Sequence, residues 1–480
     1  MAKSALIAIE QPLSPVKQFS VSSRWIYEDD SRLDATTYSA GAFQALDAIE
    51  ACRFEKRSIG SLCGTIWHPV QNQARSNFKR IYTAEAYGVP FVSTRDMFFY
   101  PLQPGRFLSR RMLKLGDLMV PEGWLLVSRS GTVGNILYVN NSLARCAISD
   151  HTIRIQPKDA PAGYLYAFLS SAYGQPLIAK GIYGATVDEV EPKHLAVIPV
   201  PMAPERTKLA IHDKVMRAYA IRDAGNELFR QATTELYSLL KVEKFKDEDV
   251  QYLGKGPPRA YSVNSDELGD RLDASHHVPL APSAVAKLKE GVFPLAQLKD
   301  RVDDVHVAPR FARVYVEQDF GTPLLQGSHV PSIRPSDMKY ISNRMTVKMD
   351  RWIIRKGMVL VTCSGTIGRT SVVSSKQDGW AASQHILRIK PKAKVTHSGF
   401  LSLFLTTAYG QHQLNSKIYG GVVDELTAED TEIIWIPDVP FNLQQPIGEK
   451  IVQAYEMRDE ANALEDEAIA EIEAVVQQRK

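Results

Sequence analysis

Two short stretches hold hydroxyls, amides and glycines at a spacing that can do chemistry: "LLVSRSGTVGN" (Leu125 to Asn135) and "VLVTCSGTIGR" (Val359 to Arg369). The hydroxyls of Ser130, Thr132, Ser364 and Thr366, with the exposed amides of a Gly-rich turn, can meet a phosphate oxygen, although the same pattern also makes a purely structural hairpin turn. Neither stretch ends in the Gly-Lys-Ser/Thr of a nucleotide-binding P-loop. Basic clusters stand near both. "RFLSRRMLKLGD" carries Arg106, Arg110, Arg111 and Lys114, and "RPSDMKYISNRMTVKMDRWIIRKG" carries Arg334, Lys339, Arg344, Lys348, Arg351, Arg355 and Lys356. Upstream of them lie Arg75, Lys79 and Arg80 in one place and Arg310 and Arg313 in the other. Clustered guanidinium and ammonium groups suit phosphate oxygens, and arginines among amides can read base edges; taken singly, each cluster is also an ordinary solvated face.

Other reactive residues point away from catalysis. His151 and His385 sit beside Ser149 and Ser383 in similar strand-like segments and read as hydrogen-bonded structural histidines. Asp188, Glu189, Asp424 and Glu425 form paired carboxylates in "VDE" loops, without further ligands spaced to join them on a metal, so ion pairing or capping is expected there. Cys52, Cys63, Cys146 and Cys363 are scattered, which suggests neither a disulfide framework nor a zinc site. No lipase-like Gly-x-Ser-x-Gly, zincin, dinucleotide-binding or adenine-methyltransferase motif is present. The residues read as those of a binder.

The elements that must position these residues come in two copies. "RLDA" recurs from Arg32 to Arg271, an offset of 239, and "YGVPFV" answers "FGTPLL" from Tyr87 to Phe320, an offset of 233. Between and beyond them "ISDHTIRIQP" matches "ASQHILRIKP", "GYLYAFLSSAYGQ" matches "GFLSLFLTTAYGQ", and "AYAIRDAGN" matches "AYEMRDEAN". A period this long is a duplicated globular unit, not a solenoid repeat. Alternating apolar residues on both sides of Gly131 and Gly134 predict a strand, turn and strand, and "GYLYAFLSSAYGQPLIAKG" predicts a helix ending near Gly181. After each unit comes a heptad seam. Ile211, Val215, Ala218, Arg222, Gly225, Phe229, Ala232, Leu236 and Leu239 form the first, and Ile447, Ile451, Ala454, Arg458, Ala461, Glu465, Ala468, Ile472 and Val475 the second. The steps predict helices over 206–241 and 443–478, with Asn442 and Gln445 as a capping box for the second. Each helix packs either on its own unit or on the other helix. The expected fold is α+β: an N-terminal extension (1–29), a mixed unit (30–201), a long helix (202–243), a polar linker (244–270), a second unit (271–440) and a second long helix (441–480). With 480 residues, 44% hydrophobic, 23% charged and a net charge of +3, the chain is ordinary globular material that permits a polyanionic partner. An apolar start broken by Glu10 and the lack of any span-length apolar run predict a cytoplasmic protein without a membrane partner.

This arrangement resembles the specificity subunits of type I restriction-modification enzymes. The resemblance spans about residues 30 to 480. It rests on the two SGTxG stretches, on "PMAPERTKLAI" and "PFNLQQPIGEKI" where a proline-rich strand end enters a long helix, and on the duplication. It implies two target recognition domains, each reading half of a bipartite site on double-stranded DNA, with the helices paired as an antiparallel coiled coil. It also implies methyltransferase subunits, two of them, bound to the helices, and a restriction and motor subunit that can join them. S-adenosylmethionine, ATP and magnesium are then expected on those partners and none on this chain, which is non-catalytic. The expected DNA contacts are Arg75, Lys79, Arg80, Arg95, Arg106, Arg110, Arg111, Lys114, Ser128, Arg129, Ser130, Thr132, Arg310, Arg313, Lys339, Arg344, Lys348, Ser364, Thr366 and Arg369. The alternatives are a two-headed protein scaffold and an enzyme of unrecognised chemistry; retention on DNA that falls with salt separates a DNA binder from the scaffold.

Overall fold

A computed structural model describes residues 23–28, 41–69, 79–130, 133–182, 188–246, 250, 260–268, 271–310, 312–346 and 350–479. Strand alternation in the first half resolves into two four-stranded sheets and a small ribbon. One sheet has the order β2 (Cys63–Trp67), β9 (Thr152–Pro157), β6 (Leu125–Ser128), β7 (Ile136–Tyr138). The other runs β3 (Tyr82–Thr83), β5 (Arg106–Ser109), β4 (Gly88–Val92), β8 (Ala147–Ile148), and β1 (Lys56–Ser58) pairs with β10 (Pro199–Pro201). The second half repeats all three. Its sheets are β12 (Val302–Val307), β19 (Ile386–Pro391), β16 (Val359–Thr362), β17 (Thr370–Val372), then β13 (Tyr315–Val316), β15 (Lys339–Ser342), β14 (Gly321–Leu325), β18 (Ala381–Ala382). Its ribbon joins β11 (Leu295–Gln297) to β20 (Trp435–Pro437).

Within each unit a buried arginine ties the two sheets. Arg154, on β9, is fully buried and donates Nη1 to the Thr152 carbonyl at 2.7 Å and Nη2 to the Ile148 carbonyl of β8 at 3.1 Å. Arg388 does the same from β19, donating to Ile386 at 2.6 Å and to Ala382 of β18. Burial pushes both guanidinium groups down to about 10, outweighing the pull of Asp150 and Asp117 on Arg154. The helix expected over "GYLYAFLSSAYGQPLIAKG" is interrupted: α1 (Ala162–Ser170) ends where Ser171 donates its hydroxyl to the Phe168 carbonyl at 2.6 Å, and a second short helix starts at Gly174. A Cβ at Gly174 would lie 2.1 Å from the Phe168 carbonyl oxygen, so the turn requires glycine. The equivalent α3 (Ser398–Thr406) breaks at Thr407 in the same way.

The long helices are α2 (Glu205–Leu240) and α4 (Phe441–Gln477). Pro204 and Pro440 precede their first turns, where a missing N–H costs nothing. Asn442 and Gln445 lie inside α4, and Gln445 bonds Glu449 at 2.7 Å, so the expected capping box is not formed. The two helices run antiparallel against each other. Lys214 pairs with Glu467 at 2.9 Å and Glu471 at 2.8 Å, whereas Glu235, further along α2, pairs with Lys450 at 2.7 Å. The seam residues of α4 from Ile447 to Val475 are all buried, as are those of α2 up to Leu236; there the stripe shifts from Leu239 to Leu240. Most of the linker, and most of the N-terminal extension with the first "RLDA", lie outside the described residues.

Each unit docks on its own helix through the same Arg-Asp pair. Asp223 accepts from Asn140 Nδ2 at 2.9 Å and the Ser142 amide at 3.0 Å, and Asp459 accepts from the Ser374 hydroxyl. Arg458 stays with its neighbour, 2.8 Å from Asp459, whereas Arg222 turns the other way, into the helix pair. Arg222 gives both terminal nitrogens to Glu465, at 2.6 and 2.5 Å, and Nη2 also to Asn462 at 2.6 Å. Glu465 also accepts from Tyr166 of the first unit at 2.7 Å and from Arg334 of the second at 3.0 Å. Burial alone would raise the Glu465 carboxyl; the two guanidinium groups outweigh it and hold it below the usual carboxylate range. Arg334, grouped by sequence with the basic strip, is thus committed to this buried cluster and to Asp466 at 2.5 Å.

The units also touch directly. The Tyr100 amide donates to Pro331 at 2.7 Å and the Ile333 amide to Phe98 at 2.7 Å. Tyr100 is wedged against the helix pair, its hydroxyl donating to the Ala454 carbonyl at 2.7 Å. A Cβ at Gly225 would come within 2.0 Å of that hydroxyl oxygen, which explains a glycine in the middle of α2.

Candidate nucleic-acid interface

Each SGTxG segment links the hydrogen-bonded pair β6–β7 or β16–β17. The residue that ends the first strand holds the turn: the Ser128 hydroxyl accepts from the Asn135 amide at 3.0 Å, and the Thr362 hydroxyl accepts from the Arg369 amide at 3.0 Å and donates to the Thr366 carbonyl at 2.6 Å. Glycine is required at Gly134, Gly365 and Gly368, whose φ angles are +92°, +74° and +85°. The "VDE" loops close against the turns by backbone pairing, Ser130 with Glu189 and Ser364 with Glu425. Ser130 Oγ sits 2.9 Å from His151 Nδ1. Among the described residues no three His, Cys, Asp or Glu side chains gather as metal ligands.

The expected contacts divide by exposure. Ser128 and Arg129 are buried. Arg129 bonds Glu189 at 2.8 Å and Glu191 at 3.1 Å, so two carboxylates offset its charge and it presents none to a ligand. Arg75, Thr132 and Lys348 fall outside the described residues. Lys79, Arg95, Arg106, Arg110, Arg111, Lys114, Arg310, Lys339, Arg344, Thr366 and Arg369 are exposed, with Arg80, Ser130, Arg313 and Ser364 half-buried. Arg106 and Lys339, at the same place in β5 and β15, lie over the rings of Tyr82 and Tyr315 at 5.7 and 5.2 Å. Arg351, Arg355 and Lys356 are also exposed.

Six of these residues converge. A groove of about 490 Å³ beside the second hairpin is lined by Arg95, Arg313, Lys339, Ser364, Thr366 and Arg369, and none of its lining residues is acidic. Arg95 comes from the first unit. It reaches the groove because Phe99 is paired in backbone with Ser332; the Arg95 and Arg369 guanidinium groups stand 5.7 and 4.8 Å from the Phe99 ring centre. Arg106 faces a separate cleft of about 850 Å³ with Glu85, Lys244 and Lys246, and Arg310 a third, near Glu425. Sequence reasoning missed Gln384, which accepts from Arg313, and the Phe99 platform. Gln384 stood within a recognised repeat segment, whereas nothing local to Phe99 signals a partner more than two hundred residues away.

Similarity to a known family covers most of the second unit and most of its long helix. Residues 320–474 match the sequence model of the type I restriction modification DNA specificity domain, and over that span the resemblance read from the sequence holds. Among solved structures, the type I restriction-modification S subunit from M. genitalium is similar at 11% identity, with 89% of this chain and 96% of that chain covered and a TM-score of 0.37. The HsdS subunit from Thermoanaerobacter tengcongensis is similar at 14% identity, covering 88% and 96%, with a TM-score of 0.28. No curated protein sequence matches the chain. Among the described residues, no helix is long and apolar enough to cross a membrane.

Proposed function

We propose that this chain is the sequence-specific DNA-recognition subunit of a type I restriction-modification complex, each unit being a target recognition domain that reads one half of a bipartite duplex site. The observation that carries the reading is the repeated pair of sheets, with the same hairpin and exposed cations at the same strand in both copies. Phosphate contacts fall to Arg106, Arg110, Arg111 and Lys114 in one unit and to Arg313, Lys339, Arg344 and Arg369 in the other. The helices act as an antiparallel coiled coil that sets the distance between half-sites and offers a surface to two methyltransferase subunits, which bring S-adenosylmethionine; a motor and nuclease subunit using ATP and magnesium can join. The chain itself recognises and does not turn over.

A 36-residue helix is about 54 Å long at 1.5 Å per residue, enough to hold two domains on major grooves about one helical turn, 34–36 Å, apart. Methylation-site mapping of the complex reconstituted with its methyltransferase subunits should return two short unlike blocks separated by a gap of fixed length and free sequence. A single continuous target, or DNA retention insensitive to salt, would overturn the reading.

A further inference from the structure

The two units differ where the repeat would make them alike. Arg80 and Arg313 occupy the same place, as do Asp150 and Gln384. Arg80 bonds the Asp150 carboxylate, which cancels its charge, whereas Arg313 bonds the neutral Gln384 carbonyl oxygen and keeps its own. Arg369 has an uncharged counterpart in Asn135, and the cleft at Arg106 includes Glu85. The groove of the second unit therefore gathers Arg313, Lys339 and Arg369 and receives Arg95 across the joint as a fourth cation. The carboxylate that Arg369 feels, Asp96, accepts from the Ser93 hydroxyl at 2.7 Å and does not line the groove. Two guanidinium groups on one aromatic ring repel each other, and an anion between them removes that cost. Hydroxyl donors from Ser364 and Thr366 stand in the same groove.

We propose that this groove is the chain's principal phosphate-anchoring site, built from both units and occupied by the backbone of duplex DNA, and that Asp150 holds the matching place in the first unit to weaker anchoring. The inference rests on the DNA reading above and adds an unequal division of affinity between the units. Arg95 makes the groove depend on the joint between them, so the strong anchor forms only when the units are docked.

The test uses the full-length chain and a labelled duplex of arbitrary sequence, with affinity measured by fluorescence anisotropy over a range of sodium chloride concentrations. Gln384→Glu places a carboxylate against Arg313 without changing side-chain size; it should lower affinity and flatten the slope of log K against log salt by about 0.9, the value of one lost phosphate contact. The double variant Arg95→Ala with Arg369→Ala should flatten it by about 1.8. Asp150→Asn should raise affinity and steepen the slope by up to about 0.9, a gain that misfolding cannot produce. Wild-type slopes in Gln384→Glu and in the double variant, with thermal midpoints preserved, overturn the proposal and leave the DNA reading standing. A wild-type chain that binds no duplex at low salt overturns both.

Discussion

Single side chains decide how much charge this surface offers. Arg106, Arg110 and Arg111 follow one another on and just after β5, all exposed, and under the proposed function such a strip would position a duplex through its phosphates without reading it. Replacing the three with Ala should weaken binding to every sequence alike and flatten the salt slope by about 0.9 for each lost contact; an unchanged slope in the same anisotropy titration would make the strip an ordinary solvated face. Arg129 shows where reading residues in isolation stops. It stands between Ser128 and Ser130 just before a glycine, which suggests an open turn, but its partners Glu189 and Glu191 lie some sixty residues on, and only folding brings them beside it. Arg334 is a second example, drawn from an apparent basic strip to a carboxylate more than a hundred residues away.

At the level of elements, the hairpins and seams were legible because their signals are local. Gly spacing and strand alternation specify β6–β7 and β16–β17, and a three-four repeat of apolar residues specifies one face of each long helix. The break after α1 was not legible, since "YLYAFLSSAYGQPLIA" keeps helical spacing across a turn that Ser171 and Gly174 impose. Glu465, seen in sequence only as a polar interruption of the seam, proves to be the hub of the helix pair. Glu465→Gln keeps the shape but leaves Arg222 buried without a compensating charge, and should cost about 3–5 kcal/mol in urea unfolding. The reverse pair Arg222→Leu with Glu465→Leu should recover much of that loss, because removing both charges also removes their desolvation penalty. Recovery absent in the double variant would mean that the cluster acts through Arg334 and Tyr166 instead.

Over the whole molecule, the distance between the units is fixed twice, by the helices and by the joint of Phe98–Tyr100 with Pro331–Ile333. Tyr100→Ala removes the wedge against α2 and α4 while leaving the helices their own ion pairs. Under the proposed function, a complex carrying it should methylate sites whose gap is one base pair longer or shorter than the wild-type gap, with both blocks unchanged; methylation mapping that returns only the wild-type gap would show the helices to be sufficient. The joint itself could not be read from sequence, because no periodic pattern links residues so far apart. One further feature governs how the molecule comes into being. The core of the first unit includes Ala468, Ile472, Val475 and Val476 of α4, and the Arg53 amide donates to the Gln478 carbonyl at 2.8 Å. A ribosome releases residues in order, so the first unit emerges with one wall of its interior missing and the seam of α2 uncovered. It stays so while more than two hundred residues are added, and only then does the last helix close both; in the meantime that apolar strip is what a chaperone or a wrong partner would meet.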